Sequence, residues 1–196
     1  MKIVAIISGK GGTGKTTLAA SLAQMVGQKA FADCDVEAPN LHILLTGKLL
    51  ESREYRGAFS AEIDIESCRQ CGLCQESCRF DAISKEFRVI PLRCEGCGVC
   101  SLVCPHGAVQ LKAVKTGDTF VHETKRGLFS HALLEIGAEG SGKLVTEVRR
   151  IISGYLKDEE WLLIDGSPGI GCVVIASLTG CDAAIVVTEP TLSRNL

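Results

Sequence analysis

The sequence predicts an α/β protein in which buried strands alternate with helices and a cysteine-rich segment interrupts that alternation. Three observations indicate this fold class. The apolar residues 3–7 lead into a glycine-rich turn and then into a helical pattern of apolar residues. Two more apolar runs, residues 29–32 and 161–165, end at or next to acidic residues. Eight regularly spaced cysteines lie between these two runs, within residues 58–114.

Composition excludes several classes of function. The 196 residues allow one or two domains, and a hydrophobic content of 46% is enough for a packed core. The net charge of −2 argues against a nucleic-acid-binding surface, which would be basic. No apolar run approaches the roughly 20 residues of a membrane span, and the first strand leaves no room for a signal peptide. We therefore expect a cytoplasmic protein without nucleic-acid or membrane partners. Eleven cysteines in such a chain indicate metal binding or catalysis rather than disulfides.

A glycine-rich turn follows the first strand and matches the phosphate-loop pattern G-x-x-x-x-G-K-[ST]. Its residues are Gly9, Lys10, Gly11, Gly12, Thr13, Gly14, Lys15, Thr16 and Thr17. Glycines let backbone N–H groups close around an anion, and the start of the next helix adds partial positive charge. In this pattern Lys15 contacts the β- and γ-phosphates of a nucleotide, and the Thr16 hydroxyl ligates Mg²⁺. We expect the helix to end at Gly27, a natural C-cap.

Acidic residues follow the second strand and end a later one. Asp33 and Asp35 come directly after residues 29–32, and Asp165 ends the apolar run 161–165. Open α/β sheets bind their ligands at the carboxyl ends of parallel strands, so these carboxylates are candidates for a metal or nucleotide site. A helix N-cap with a turn before Pro39 is the structural alternative for the first two. A buried capping aspartate is the alternative for Asp165.

Two cysteine runs share the spacing C-x₂-C-x₂-C-x₃-C. They are Cys68, Cys71, Cys74 and Cys78, and then Cys94, Cys97, Cys100 and Cys104. This spacing is typical of proteins with two [4Fe–4S] clusters, in which the fourth cysteine of each run ligates the other cluster. We therefore expect one cluster on Cys68, Cys71, Cys74 and Cys104, and the other on Cys94, Cys97, Cys100 and Cys78. The first three cysteines of each run should lie on a loop and the fourth on a helix.

The alternatives fit the cysteine runs less well. A zinc site has four ligands with a longer gap between its pairs, and disulfides would not repeat this spacing. One departure concerns the residue after each run, which is Pro105 in the second run but Arg79 in the first. A cation at that position could raise the potential of the second cluster.

The chain returns to α/β character after residue 114. Residues 119–124 and 132–136 are expected strands, and residues 183–188 a further buried one. Gly137 to Lys143 fits G-x₄-G-K, but Leu144 follows it, so the hydroxyl for Mg²⁺ is missing. We interpret it as a turn into a helix over residues 143–156. We expect the C-terminal part of the sheet to be missing from these 196 residues.

Lys10, directly after the first glycine of the loop, makes the loop resemble that of the deviant phosphate-loop ATPases. These include the MinD/ParA group, the Mrp-type iron–sulfur carriers and the nitrogenase iron protein. As a whole the chain resembles a MinD-superfamily ATPase with an inserted ferredoxin domain. The resemblance implies a doubly wound, mainly parallel sheet built from residues 1–57 and 115–196, interrupted by a ferredoxin-like α+β insert at 58–114. It also implies a homodimer in which Lys10 reaches the partner's nucleotide.

The same resemblance implies roles for other polar residues. Asp35 would orient the attacking water, and Asp33 and Asp165 would support Mg²⁺. Asn40 would touch the partner's nucleotide, and the backbone amide of Gly169 would sense the γ-phosphate. Cys172 lies where the nitrogenase iron protein has a cluster ligand. A buried structural cysteine is the interpretation that we prefer at that position, because free cysteines are often buried.

These expectations combine into an ATPase that uses ATP, Mg²⁺ and two [4Fe–4S] clusters. ATP hydrolysis would drive a dimer switch coupled to electron transfer with a redox partner protein. One alternative is an iron–sulfur carrier that delivers a cluster to an apo-acceptor protein. Another is a positioning ATPase of the MinD or ParA kind in which the clusters only stiffen the insert. A third is a ferredoxin carrier whose ATPase half is inactive.

Overall fold

The computed structural model describes residues 1–25 and 29–190, so the helix end predicted at Gly27 lies outside the described residues. The chain divides into two compact units. The first combines Met1–Tyr55 with Gly117–Leu196, and the second is Arg56–Thr116. None of the helices in the described ranges is long and apolar enough to cross a bilayer.

Strands and helices alternate along most of the chain. In order they are β1 (Lys2–Ser8), α1 (Lys15–Met25), β2 (Lys29–Cys34), α2 (Leu41–Leu44), β3 (Gly47–Tyr55), β4 (Ala58–Ile63), α3 (Leu73–Glu76), α4 (Val99–Val103), β5 (Val109–Val114), β6 (Gly117–Thr124), β7 (Gly127–Leu134), α5 (Gly142–Ser153), β8 (Trp161–Pro168), α6 (Cys172–Leu178) and β9 (Ala183–Val186). A short 3₁₀ turn at Pro91–Arg93 precedes the second cysteine run.

The first unit contains a seven-stranded sheet in the order β3-β6-β7-β2-β8-β1-β9. The neighbours from β7 to β9 pair in parallel, whereas β3, β6 and β7 form an antiparallel ribbon at one edge. The predicted α/β fold with a mainly parallel sheet is therefore confirmed. The ribbon is an addition that the sequence patterns did not predict.

Helices cover both faces of the sheet around β2, β8 and β1. On one face, Ala30, Leu162 and Ile164 of the strands pack with Val145 and Val148 of α5. Phe31, Ile6 and Leu163 face the other way and pack with small residues of α1 and with Leu41 of α2. Strands that are buried on both faces have near-continuous apolar sequences, which explains the runs at β1, β2 and β8. The edge strand β9 is exposed along its whole length, so the prediction of a buried strand at residues 183–188 is wrong.

The second unit is small and carries both cysteine runs. Its strands β4 and β5 pair antiparallel along their whole lengths. Two short helices, α3 and α4, each begin after a glycine in the left-handed region, Gly72 at φ 86° and Gly98 at φ 79°. Each helix includes the third cysteine of its run, which was predicted to lie on a loop. The fourth cysteines, Cys78 and Cys104, follow the helices, so their predicted helical placement is wrong.

Candidate functional site

The candidate nucleotide site lies at the carboxyl ends of three neighbouring parallel strands. In the sheet, β8 lies between β1 and β2. Asp165 on β8 is opposite Ile6 of β1 on one side and opposite Asp33 of β2 on the other. The glycine-rich loop follows β1 directly, and Asp35 follows β2. The topology therefore brings the loop and the three aspartates to the same edge of the sheet.

The glycine-rich loop leaves open space above its backbone. Gly12 and Gly14 have φ angles of 81° and 94°, which favour glycine. A Cβ atom built at Gly9, Gly11, Gly12 or Gly14 would meet no other atom within 4 Å. The N–H of Leu18 donates to the Gly14 carbonyl at 2.9 Å, so the helix begins at the end of the loop. This arrangement fits an anion held by backbone N–H groups at a helix start.

Lys15 is the first residue of α1 and points into the site. Its side chain is only 4% exposed, and its Nζ atom lies 3.5 Å from Asp35 Oδ2. Burial raises the pKa of Asp35, and the ammonium group of Lys15 partly opposes that rise. A buried ammonium group at the edge of the loop suits contact with a nucleotide phosphate. The neighbouring aspartate suits contact with the water that attacks the phosphate.

Thr16 and Asp165 form a second polar pair in the site. The Thr16 hydroxyl donates to Asp165 Oδ2 at 2.6 Å. Asp165 is 1% exposed, and burial is the main cause of its raised pKa. Its other oxygen, Oδ1, is buried and has no hydrogen-bond partner in the part of the chain that the structure describes. A carboxylate oxygen with unused lone pairs beside a threonine hydroxyl is a donor set that suits Mg²⁺ and its waters.

Asp33 is buried beside Asp165, and both of its oxygens are occupied. They accept the backbone N–H groups of Asp35 at 3.1 Å and Leu41 at 3.0 Å. Burial, and then the charge of Asp165, raise the pKa of Asp33 to about 8. The carboxyl group therefore ties the end of β2 to the start of α2, which is the turn and capping interpretation given above. Its role toward Mg²⁺ stays a prediction.

The remaining predicted residues lie at the rim of the site. Asn40 is exposed before α2, and its side chain makes no capping bond. Lys10 is exposed on the loop, where its carbonyl accepts the Ser8 hydroxyl at 2.7 Å. Gly169, at φ 100°, donates its N–H to the Ser8 carbonyl at 2.9 Å. Contact between that N–H and a γ-phosphate would require this bond to break.

Of two predictions about the second half of the chain, one is confirmed and one is wrong. In the second glycine-rich segment, the Ser141 hydroxyl accepts the N–H of Leu144 and caps α5. The interpretation of this segment as a turn into a helix is confirmed. Cys172 begins α6 but is exposed, so the prediction of a buried cysteine is wrong. The residue lies at the N-terminus of a helix that directly follows a glycine-rich turn, where little packs over it.

Two cavities in the second unit divide the eight cysteines into two sets of four. The A cavity is lined by Cys68, Cys71, Cys74 and Cys104. The B cavity is lined by Cys78, Cys94, Cys97 and Cys100. These are the two sets that the duplicated spacing predicts, including the exchange of the fourth cysteine between runs. Among the described residues, no three His, Cys, Asp or Glu side chains group closely enough to hold one metal ion.

Backbone N–H groups point at several of the sulfurs. Cys68, Cys78 and Cys94 each accept an N–H at 3.4 Å, from Gln70, Ala82 and Ala61 respectively. Burial opposes ionisation of Cys94 and Cys104, yet backbone N–H groups lower the pKa of both thiols overall. Such donors favour the thiolate form. A ring of four cysteines around a cavity fits a cubane, whose width separates its thiolate ligands further than a single ion does.

Sequence reasoning missed a stack of aromatic rings between α2 and the antiparallel ribbon. The stack contains His42, His122, His131, Phe120 and Phe129. The Nε2 atoms of His122 and His131 are 3.1 Å apart and share a hydrogen bond. The two strands β6 and β7 each contain the pattern Phe-x-His. The pattern indicates a ring stack only once the register of the β6–β7 hairpin is known, because the register places these rings opposite each other.

Comparison with known proteins identifies the family. Residues 4–180 match the model of the CobQ/CobB/MinD/ParA nucleotide binding domain. The chain belongs to this family. Two relatives in Methanocaldococcus jannaschii, both described as uncharacterized, are 37% and 32% identical to it over 97% of the chain. The chain spans 68% and 70% of their lengths.

Two further matches are more limited. A stretch of 54 residues is 37% identical to the dihydromethanopterin reductase (acceptor) of Methanosarcina mazei, and covers 24% of this chain and 23% of that protein. The solved structure of the septum site-determining protein MinD from Pyrococcus horikoshii, a complex with Mg-ADP, aligns with a TM-score of 0.46 and 20% identity. That alignment covers 97% of this chain and 58% of the MinD chain. The family membership therefore rests on the match over residues 4–180.

Proposed function

We propose that this protein hydrolyses Mg-ATP as a homodimer and couples the nucleotide switch to electron transfer through two [4Fe–4S] clusters. One observation carries the nucleotide part of the proposal. Lys15, Thr16, Asp35 and Asp165 converge under an open glycine loop, and one oxygen of Asp165 is buried without a partner. Membership of a nucleotide-binding family supports it.

Each residue of the nucleotide site has a specific role in this proposal. The N–H groups of the loop and the Lys15 ammonium group hold the β- and γ-phosphates and neutralise the charge that develops on them. Lys15 thereby exchanges its contact with Asp35 for one with phosphate. The freed Asp35 carboxylate then orients water toward the γ-phosphate. Thr16 and Asp165 would hold Mg²⁺, and the bound ion would offset the charge of the phosphates.

The dimer part of the proposal depends on Lys10 and Asn40, and the nucleotide switch depends on Gly169. Lys10 and Asn40 are exposed at the rim, where a second copy of the chain can reach them. Gly169 bonds to the Ser8 carbonyl next to the loop, so a γ-phosphate that attracts the Gly169 N–H would move the segment after β8. Segments that shift between nucleotide states are a common switching device.

The cysteine sets carry the redox part of the proposal. The A cavity would hold one cluster and the B cavity the other, and each cluster would supply one-electron redox chemistry when bound. The short helices and their preceding glycines fix the cysteines, while N–H groups stabilise thiolate charge. Eight ligands in a standard arrangement for resident clusters favour electron transfer over delivery of a cluster to an acceptor.

Anaerobic purification followed by iron and sulfide counting tests the metal part. We expect about eight irons per chain and an EPR signal that changes when Mg-ATP is added. Zinc, or no metal, at the eight cysteines would contradict the proposal. Quantitative transfer of iron and sulfide to an apo-acceptor would instead favour the carrier alternative. Stimulation of hydrolysis by lipid or DNA would favour the positioning ATPase.

Matched lysine variants test the nucleotide part. Lys15→Ala should abolish ATP binding, because it removes the ammonium group under the loop. Lys143→Ala is the control, since Lys143 ends a similar G-x₄-G-K segment that caps a helix, and it should bind ATP normally. Asp35→Asn should bind ATP but hydrolyse it at least tenfold more slowly, which is about 1.4 kcal/mol in barrier height. Equal loss of binding in both lysine variants would contradict the assignment.

A further inference from the structure

We propose that the cluster held in the A cavity has a higher reduction potential than the cluster held in the B cavity. This inference rests on the proposed function, because it concerns clusters in the two cysteine sets. It assigns a direction to electron movement inside the second unit. An electron entering at the B cavity would move on to the A cavity.

The side chains that line the two cavities differ in charge. Arg69, Gln70 and His106 line the A cavity together with its cysteines. No cationic side chain of the described residues lines the B cavity. Its charged residue is Glu95, and most of the others are apolar, such as Phe80 and Leu111.

This difference changes the cost of adding an electron. Reduction adds one negative charge to a cluster, so the guanidinium of Arg69 stabilises the reduced state in the A cavity. In the B cavity the carboxylate of Glu95 repels the added charge. Net charge around a cluster is one of the factors that set its potential.

Hydrogen bonds to sulfur differ little between the two sets. Backbone N–H groups donate to Cys68 in the A set and to Cys78 and Cys94 in the B set, each at 3.4 Å. Because the sets differ by one such bond, we expect the contrast between the charges of Arg69 and Glu95 to decide the order of the potentials.

Two other arginines lie near the B set in sequence but do not line its cavity. Arg79 follows Cys78 and is exposed. The Arg93 side chain donates to the Asp81 carbonyl at 3.4 Å. Arg69 and Glu95 are exposed as well, but they line the cavities, whereas Arg79 and Arg93 do not. Because solvent and salt screen a charge more strongly as its distance grows, we expect Arg79 and Arg93 to affect the potentials less than Arg69 does.

The internal step is balanced in electrons. A one-electron donor of low potential reduces the cluster in the B cavity, and that cluster is oxidised again as the one in the A cavity is reduced. No proton or ligand has to move. The electron leaves when a one-electron acceptor protein oxidises the cluster in the A cavity.

A redox titration of the anaerobically purified 196-residue chain, followed by EPR with dithionite as the reductant, tests this inference. Two midpoint potentials are expected at low ionic strength. Arg69→Gln should lower the higher one and leave the lower one unchanged. Glu95→Gln should raise the lower one and leave the higher one unchanged. Opposite shifts in different steps identify which cavity gives rise to which potential.

Arg79→Gln is the matched control, because it removes the same charge next to a cysteine but outside both cavities. It should shift neither potential. A single shared potential, no shift from Arg69→Gln, or an equal shift from Arg79→Gln would overturn the inference. Iron-free protein would contradict the proposed function and this inference together. Full iron content with equal potentials would overturn the inference alone.

Discussion

Asp33 and Asp165 are buried carboxyl groups on neighbouring strands, and the charge of Lys15 only partly opposes the rise in the pKa of Asp165. Burial and the charge of Asp165 raise the pKa of Asp33 from 3.8 to about 8, and burial raises that of Asp165. A carboxyl group with a raised pKa binds its proton more tightly in the folded state. The metal-free protein should therefore lose stability as the pH rises from about 4 to 8.

Asp165→Asn should remove the part of this loss that comes from the charge and burial of Asp165, while the burial of Asp33 remains. The amide can still accept the Thr16 hydroxyl, and its NH₂ group replaces the oxygen that has no partner. Measured by urea unfolding without Mg²⁺, the variant should be about 1 kcal/mol more stable than the wild type at pH 8 and closer to it at pH 5. Its Mg-ATP hydrolysis should be lost, because the carboxylate that supports Mg²⁺ is gone.

The exposed Asp158 provides the control, because Asp158→Asn changes the same charge at the surface. This variant should follow the wild type at every pH. An Asp165→Asn protein that is less stable than the wild type at pH 8 would show that the two carboxyl groups do not repel each other as proposed.

Among the elements, the sequence predicted best the strands that are buried on both faces. The runs at residues 3–7, 29–32 and 161–165 are confirmed as β1, β2 and β8, because such strands are apolar throughout. It did not predict β3, whose residues are mostly exposed and show no alternation. The strand expected at 132–136 is β7, which begins at Gly127 because a two-residue turn joins it to β6.

Local motifs predicted the parts of the candidate site that lie on one segment. The glycine loop, Lys15 and Thr16 come from one pattern, and Asp165 from the end of one strand. The ring stack could not be predicted in this way, since it depends on which strands pair. The same limit applies to Asp33, whose bond to the Leu41 N–H depends on how α2 folds back after β2.

The ring stack makes α2 and the antiparallel ribbon sensitive to acid. His131 is 4% exposed, and burial, followed by the charges of His122 and His42, lowers its pKa from 6.5 to about 4. The unfolded chain therefore takes up a proton at a higher pH than the folded chain does. This residue's contribution to stability is complete above pH 6.5 and declines as the pH falls toward 4.

His131→Phe should abolish that decline. As the pH is lowered from 6.5 to 4, the free energy of unfolding of the variant should rise by about 3 kcal/mol relative to that of the wild type, measured in urea. This change does not depend on how far the substitution alters stability at neutral pH. The slope from the buried aspartates has the opposite sign, so the histidine effect is read from the difference between variant and wild type. A parallel pH dependence in His131→Phe and the wild type would contradict this account.

The second unit is inserted into the first at a single connection between two strands, so we expect the first unit to fold without it. Tyr55 and Gly117 flank the inserted residues and are directly opposite each other at the ends of β3 and β6. The first unit therefore has a β-hairpin whose loop is the entire second unit. A two-residue type I′ turn is the shortest connection between such strands.

Replacing residues 56–116 by Asn-Gly should leave the first unit folded. The shortened protein should bind Mg-ATP with an affinity within about threefold of the full chain, and should contain no iron. A control that also deletes Tyr55 shifts the pairing of β3 with β6 by one residue and should reduce stability. Loss of ATP binding in the shortened protein, with the fold retained by circular dichroism, would show that the nucleotide site depends on the second unit.

Mixing two inactive variants tests whether Lys10 acts across a dimer. Lys10→Ala lacks the residue that is offered to the partner, and Asp35→Asn lacks the carboxylate that serves its own nucleotide. In a mixed dimer, the site of the Lys10→Ala subunit has its own Asp35 and receives Lys10 from the Asp35→Asn subunit. Random exchange of equal amounts gives about half mixed dimers with one competent site each, and hence roughly a quarter of wild-type hydrolysis. If Lys10 served the nucleotide of its own subunit, no mixed site would be complete and the mixture would stay as inactive as its components.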